Sequence, residues 1–556
     1  MTRDIEIEVQ DIDHLGLIAG IIDDIGIVEI IDQELGTHEQ EKVSAGLVVK
    51  AMIINCMGFL TAPLYLFSEF FAGIATEHLI GEGVKAEYLN DSRIGRVLEQ
   101  LYEYDVTRLF LKIASAMVNR WGIKIGNAHI DGTSLSVHGK YETSEKIEQN
   151  SPEIKQDIEE ECEPVPIIIT HGYSRDHRPD LKQFTLNLLT VGEEGIPLFM
   201  ELGNGNELDQ NAFPKMIKEF QSQWLEKQPE VYVMDAAFYT EANLIQCSKN
   251  INWISRVPLT IKAAQELLQI LLPEQFSKSA LYKDYSFCSI CSEYAGIKQQ
   301  WIVVESEERK QADLKNLSKK IEQSLTAKTK NLKSLEVKEF ACEADALSAA
   351  KDFDKTLNYH QLNEIEIVAK PHYKRRGKPR VGDEVSHYSY HIHAKLIENG
   401  VAIKTHQRQA GKFILATNLL DENKWTNELI LQEYKAQQTT ERGFRFIKDP
   451  LFFASRVFLK STKRIMALAM IMTLALMVYS FGQLQLREAL KTANAQLPNQ
   501  KGKLTAKPTL RWILQCFQSV HLVFINGIKS SIKLTHRQKL ILQFFGASSH
   551  QYYFLS

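Results

Sequence analysis

The sequence predicts a multidomain protein in which an all-α N-terminal domain precedes an α/β domain built on a mixed sheet. Three observations predict it. The chain has 556 residues, about twice the length at which a single hydrophobic core stops growing, so two to four domains are expected. Apolar residues recur at helical spacing as far as about residue 123, then fall into short extended runs from Asn127 onward. The composition, 44% apolar and 24% charged with 29 Gly and 15 Pro, is that of an ordinary globular protein and excludes a disordered or collagen-like chain.

The first region, 1–125, is assigned as helical from Leu15, Leu17, Ile18, Ile21 and Ile22 and again from Val48, Met52, Ile53 and Cys56. Residues 126–258 open the α/β layer. Ala128–Val137, Phe184–Val191 and Ile196–Leu202 read as strands, the last two joined by a Gly-Glu-Glu-Gly turn. Residues 142–163 are rich in Glu, Ser and Lys and read as an acidic loop. A helix (Ala212–Leu225), a strand (Val231–Met234), a helix (Thr240–Cys247) and a strand (Trp253–Val257) follow. In 259–411 the alternation breaks down. This stretch is expected to be a large insertion, with Leu314, Leu317, Ile321, Leu325, Leu332 and Leu335 forming a local helical hairpin. Residues 412–485 return to the α/β layer with a strand (Phe413–Thr417) and one helix from Asn427 to Lys448, capped by Asp421 or Asn423 and stopped by Pro450. Residues 486–556 are expected to be helical.

Seven scattered cysteines, an odd number, make a poor disulfide framework. The opening Met-Thr-Arg-Asp-Ile-Glu-Ile-Glu lacks a signal-peptide apolar core. A reduced, cytoplasmic protein is expected. The net charge of −4 hides two opposite halves: residues 371–556 hold 28 Lys and Arg against 10 Asp and Glu, and residues 1–370 hold 37 against 59. A basic C-terminal third on an acidic protein suits a polyanion such as DNA.

Two carboxylates fall where an α/β sheet presents groups to a cleft: Asp131 after the apolar start of a strand, and Asp235 after Val231-Tyr232-Val233-Met234. On the helix from Asn427 to Lys448, Tyr434, Gln437, Glu441 and Lys448 lie within an arc of about 60°, and Arg445 joins that face. The helix therefore aims one carboxylate among polar and basic groups. Beyond Glu441, Arg442, Arg445, Lys448, Arg456, Lys460, Lys463 and Arg464 face only Asp449, a pattern that suits neutralisation of a phosphate backbone. Lys374-Arg375-Arg376-x-Lys378-x-Arg380 reads as a basic loop.

Tyr434-x2-Gln437-x3-Glu441-x6-Lys448 resembles the Tyr-x2-Arg-x3-Glu-x6-Lys signature of bacterial insertion-sequence transposases of the DDE type, with Gln437 where the signature has Arg. Ile130-Asp131-Gly132-Thr133 is similar to the first-Asp strand of that family, Val233-Met234-Asp235-Ala236-Ala237-Phe238 to the second, and Trp253–Val257 to the strand before its insertion. The stretch from His14 to Asp23 is similar to the leader of one subgroup. The resemblance implies an RNase H-like catalytic domain in which Asp131, Asp235 and Glu441 hold two divalent metal ions, Mg²⁺ or Mn²⁺. It implies cleavage of double-stranded DNA at the element's terminal inverted repeats, joining of the freed 3′-OH to target DNA, and a homodimer on DNA in the bacterial nucleoid. Tyr434 and Lys448 are then expected at DNA phosphate, with Gln437 among the DNA-binding residues in the place of the signature's Arg, and Arg442, Arg445, Arg456 and Lys460 on the backbone. Hard oxygen donors agree with such ions, and two cations about 4 Å apart can activate one oxygen and stabilise another.

Gln437 cannot form the charged fork that Arg makes with phosphate. It leaves open an alternative, a catalytically impaired DNA-binding protein derived from such an element. Cys288 and Cys291 form a lone C-x2-C pair that only His391 and His393 could complete, and no zinc site is expected. Ile465–Gly482 is an uncharged run of eighteen residues, long enough to span a membrane. Its Ala and Met content and its place beside the catalytic helix predict a buried core helix and no membrane.

Overall fold

The computed structural model describes residues 6–58, 67–138, 141, 164–374, 384–448 and 461–554. The expected acidic loop, most of the basic loop after Lys374, Pro450, Arg456 and Lys460 lie outside these residues. The chain forms two compact units. One comprises Met1–Ser255, Tyr294–Ile297 and Ile430–Ser556; the other comprises Arg256–Glu293 and Lys298–Leu429.

The first unit opens with strand β1 (Ile7–Asp11) and helix α1 (Leu15–Ile25), followed by helices Ile27–Leu35, Ala45–Met57, Asp91–Tyr104 and Val106–Trp121. The helical reading of this region holds except at β1. That strand pairs antiparallel with His521–Ile525, which in turn pairs with Ile528–Ile532, so the C-terminal region is not wholly helical either. Backbone groups of β1 and of the C-terminal hairpin satisfy one another across some five hundred residues. The helices of the two ends also pack closely. A Cβ at Gly20 of α1 would stand 2.4 Å from the Cα of Ser549, a contact only glycine allows.

The sheet of this unit runs in the order β4-β3-β2-β5-β6, with β2 (Ala128–Val137), β3 (Lys182–Val191), β4 (Ile196–Gly203), β5 (Tyr232–Met234) and β6 (Trp253–Val257). Strands β2, β3 and β4 form an antiparallel meander; β5 and β6 add in parallel, each reached through a helix, α2 (Asp209–Gln223) and then Glu241–Cys247. Thr240 caps the second of these helices by accepting a hydrogen bond from Asn243 N.

The expected single helix from Asn427 to Lys448 is two, α3 (Asn427–Ala436) and α4 (Gln438–Lys448), broken at Gln437. The cause is tertiary. The Gln437 amide, 7% exposed, donates to the carbonyl of Ile130 at 3.4 Å, and Thr440 joins its hydroxyl to that of Thr190 at 2.7 Å. These two bonds pull the chain onto the sheet at the break. Thr426 caps α3 by accepting from Leu429 N, in place of Asp421 or Asn423. Helix α5 (Thr462–Thr492) includes the uncharged run, and 89% of its most apolar eighteen-residue window is buried. It packs on α1 and on the helices Ala45–Met57 and Asp91–Tyr104, so its side chains are core.

In the second unit, strand Lys412–Thr417 pairs antiparallel with Ile297–Ser306, and Tyr285–Tyr294 follows in the sheet order. The near-heptad stretch is not a helical hairpin. It is one 31-residue helix, Glu307–Val337, in which Leu317 and Leu332 are buried, and it packs on a long two-stranded hairpin, His360–Tyr373 with Val385–Glu398. A small core of Phe340, Ala346, Ala350 and Ile392 joins helix Glu343–Lys355 to the same hairpin. Leu335 of the long helix packs on this same core, so the hairpin occupies the place that a second helix would have taken.

Candidate active site

Strand register brings the first two carboxylates together. In the parallel pair β2–β5, Ile130 stands opposite Met234, so the next residue on each strand is Asp131 and Asp235. Asp235 follows the carboxyl end of β5, where a sheet of this kind opens to ligands, and Asp131 lies within β2 just past the last residue paired to β5, where β2 runs on beside β3 alone. Asp235 is pinned at its backbone, whose carbonyl accepts from the fully buried Ser255 hydroxyl on β6 at 2.8 Å. Its Oδ1 accepts from Ala237 N, and Asp131 Oδ1 accepts from Gly132 N.

Helix α4 lies against β2 and carries Glu441 one residue after the Thr440 anchor. Its carboxylate is 53% exposed and 3.9 Å from Arg445. Electrostatics link all three acids. Burial first, then the negative charges of Asp235 and Glu441, push the Asp131 carboxyl up to about 7, while the Arg175 charge and the Gly132 N–H oppose the rise. A carboxyl so placed is half protonated near neutral pH, and a cation among the three acids would lower its pKa. Among the described residues, no three His, Cys, Asp or Glu side chains are close enough to hold a metal ion between them. The donor set and its mutual repulsion fit a hard divalent ion; the cluster is not drawn closed.

The other expected residues divide. Lys448 reaches the site's loop and binds Asp176 at 2.8 and 3.0 Å. Tyr434 is half-buried on α3, and Arg442 and Arg445 are exposed on α4. Gln437 turns inward to Ile130 and does not share a free surface with them. Cys288 and Cys291 are free thiols on one strand.

Sequence reasoning passed over three features. Arg175 binds Asp209 at the start of α2. His129, two residues before Asp131, stands 4.0 Å from Glu433 of α3 at the edge of a cleft of about 880 Å³, where burial holds the imidazole down at about 4 and hence neutral. Arg442 and Arg445 share a groove of about 300 Å³ with Arg487, Arg511 and Tyr479. The run Ser174-Arg175-Asp176-His177-Arg178 was the only local signal for the first, and it looks like any polar turn.

A mixed sheet thus sets Asp131 and Asp235 on neighbouring strands, with Glu441 on a helix that lies against β2. Residues 128–478 match the family described as Transposase DDE domain, and residues 7–115 match a domain of unknown function, DUF4277. The first match spans more than half of the chain, from β2 into α5, and the chain belongs to the Transposase DDE domain family. No curated protein matches it. Among solved structures, the cryo-EM structure of the piggyBac transposase synaptic complex with hairpin DNA aligns at 10% identity and a TM-score of 0.36, over 98% of this chain and 83% of that one.

Proposed function

We propose that this protein is a DNA transposase that cuts the ends of its own insertion sequence and joins the resulting 3′-OH to target DNA, with Asp131, Asp235 and Glu441 as the catalytic carboxylates of an RNase H-like core. The observation that carries the reading is the β2–β5 register, which sets Asp131 beside Asp235 in the segment that matches the transposase family and next to the helix bearing Glu441. These three side chains would hold two Mg²⁺ or Mn²⁺ ions. Such a pair, when bound, activates the attacking oxygen and stabilises the leaving one.

The chain's own residues do the rest. Thr440 and Gln437 fix α4 against β2 and so set where Glu441 stands. Arg442, Arg445 and Lys448 of α4, with Arg456 and Lys460 beyond it and Tyr434 before it, supply phosphate contacts along double-stranded DNA. Position 437 argues little for a binding-only protein, because its side chain is used inside the fold. A homodimer on paired DNA ends, acting on nucleoid DNA in the cytoplasm, completes the reading.

Glu441→Gln keeps size and helix propensity while removing the negative charge. Fold and DNA binding are expected to persist, while cleavage with Mg²⁺ or Mn²⁺, on a plasmid carrying this gene and its flanking DNA, falls more than about 100-fold. Wild-type cutting rates in this variant would refute the three-carboxylate site.

A further inference from the structure

The loop that joins the strands β2 and β3 across the site, His171 to Leu181, is held with unusual firmness for a polar turn. A Cβ at Gly172 would stand 1.9 Å from the carbonyl oxygen of Gly205, and one at Gly205 would stand 2.0 Å from that of Gln183. Two bare backbones therefore pass each other where no side chain fits. The Gln183 amide, 1% exposed, donates to the carbonyls of both Tyr173 and Gly205 at 3.1 and 2.8 Å. Arg175 N donates to Ser134 Oγ of β2 at 3.1 Å, and Arg178 closes the far side on Asp180.

That frame delivers two side chains. Asp176 meets Lys448, and Arg175 passes over Gly132, the neighbour of Asp131: its Nη1 is 3.4 Å from where a Gly132 Cβ would be. Its Nη2 is taken by Asp209, and among the described residues Nε and Nη1 have no hydrogen-bond acceptor. The side chain is 27% exposed, and its charge acts on the Asp131 carboxyl. A guanidinium with one edge anchored and the other open is suited to a planar fork with a phosphate. The position where the family signature places Arg holds Gln437, buried and neutral.

We propose that Arg175 is the phosphate-binding arginine of the active site, contacting a DNA phosphate beside the cleaved bond and supplying from the β2–β3 loop the charge that position 437 lacks. The assignment rests on the transposase reading above. Asp209 orients the guanidinium, and the two glycine contacts keep the loop from withdrawing it.

The cut site is first mapped with wild-type protein on a plasmid carrying this gene and its flanking DNA. Arg175→Ala is then expected to lose about 100-fold in cleavage rate, with Arg175→Lys recovering part of it and thermal unfolding of all three proteins unchanged. Duplexes of that end, each with one neutral methylphosphonate within two nucleotides of the cut, supply the decisive reading. At one position the neutral linkage should slow wild type and Arg175→Lys yet leave Arg175→Ala no slower than it already is. If every position slows Arg175→Ala by the wild-type factor, or if Arg175→Ala cuts as fast as wild type, the assignment is overturned while the three-carboxylate site stands. A wild-type protein that cuts nothing sinks the transposase reading, and this assignment with it.

Discussion

Asp131→Asn should stabilise the metal-free protein while abolishing cleavage. The folded carboxyl is pushed up from 3.8 to about 7, because burial and the adjacent Asp235 and Glu441 all disfavour its charge. A displacement of that size corresponds to roughly 4 kcal/mol at 1.36 kcal/mol per tenfold. Partial exposure and relaxation of the site reduce this to about 2 kcal/mol. The sign follows from the direction. Below pH 3.8 the acid is protonated whether folded or unfolded and costs nothing. Between pH 3.8 and 7 only the unfolded chain ionises, so stability is lost as pH rises, and above pH 7 the loss is constant. An Asn of the same shape escapes it. In EDTA at pH 8 the variant should therefore melt several degrees above wild type, and at pH 4 the two midpoints should converge. Mg²⁺ should raise the wild-type midpoint by binding the folded state and leave the variant's nearly unmoved. A variant that melts at or below wild type at pH 8, or a difference that does not change with pH, would refute the claim that the carboxylates strain one another.

Asp176→Asn releases Lys448 from a partly exposed ion pair worth at most about 1 kcal/mol. Affinity for a short duplex, read by fluorescence anisotropy at two salt concentrations, should rise up to about fivefold with a steeper salt dependence; unchanged or weaker binding would mean that Lys448 faces no phosphate. Leu474 on α5 is fully buried, so Leu474→Asp should precipitate or unfold the protein, an unpaired buried carboxylate costing several kcal/mol. A soluble, active Leu474→Asp variant would show that this helix is not core.

The paired aspartates were legible because each follows a short apolar run, which for Asp235 marks the end of β5, while for Asp131 it marks only where β2 leaves its pairing with β5 and runs on to Val137. Strand β2 falls at Ala128–Val137 and β6 at Trp253–Val257, as read. The break at Gln437 was not legible. Residues on either side keep helical spacing, and the kink comes from Ile130 and Thr190, some 250 to 300 residues earlier. Periodicity measures which face is buried and is blind to a side chain that leaves the helix for a distant carbonyl. The pairing of β1 with His521–Ile525 is hidden for the same reason.

The charge split shows where such reading misleads. The division at residue 371 falls inside the second compact unit, within strand His360–Tyr373, so the basic third is no physical body. What matters at the site is local. Glu193 and Glu194 line the same groove as Arg442, Arg445, Arg487 and Arg511, but they are bound to Lys507 and Arg487. The exposed arginines of α4 thus keep their charge toward solvent. Arg175 and Asp176 come from the acidic part of the chain, yet Arg175 stands over Gly132 of β2 and Asp176 against Lys448. A count along the sequence assigns them to the wrong side. The loop contacts of Gly172 and Gly205, which no composition or periodicity can express, decide that a cation from the acidic part of the chain stands at the carboxylates.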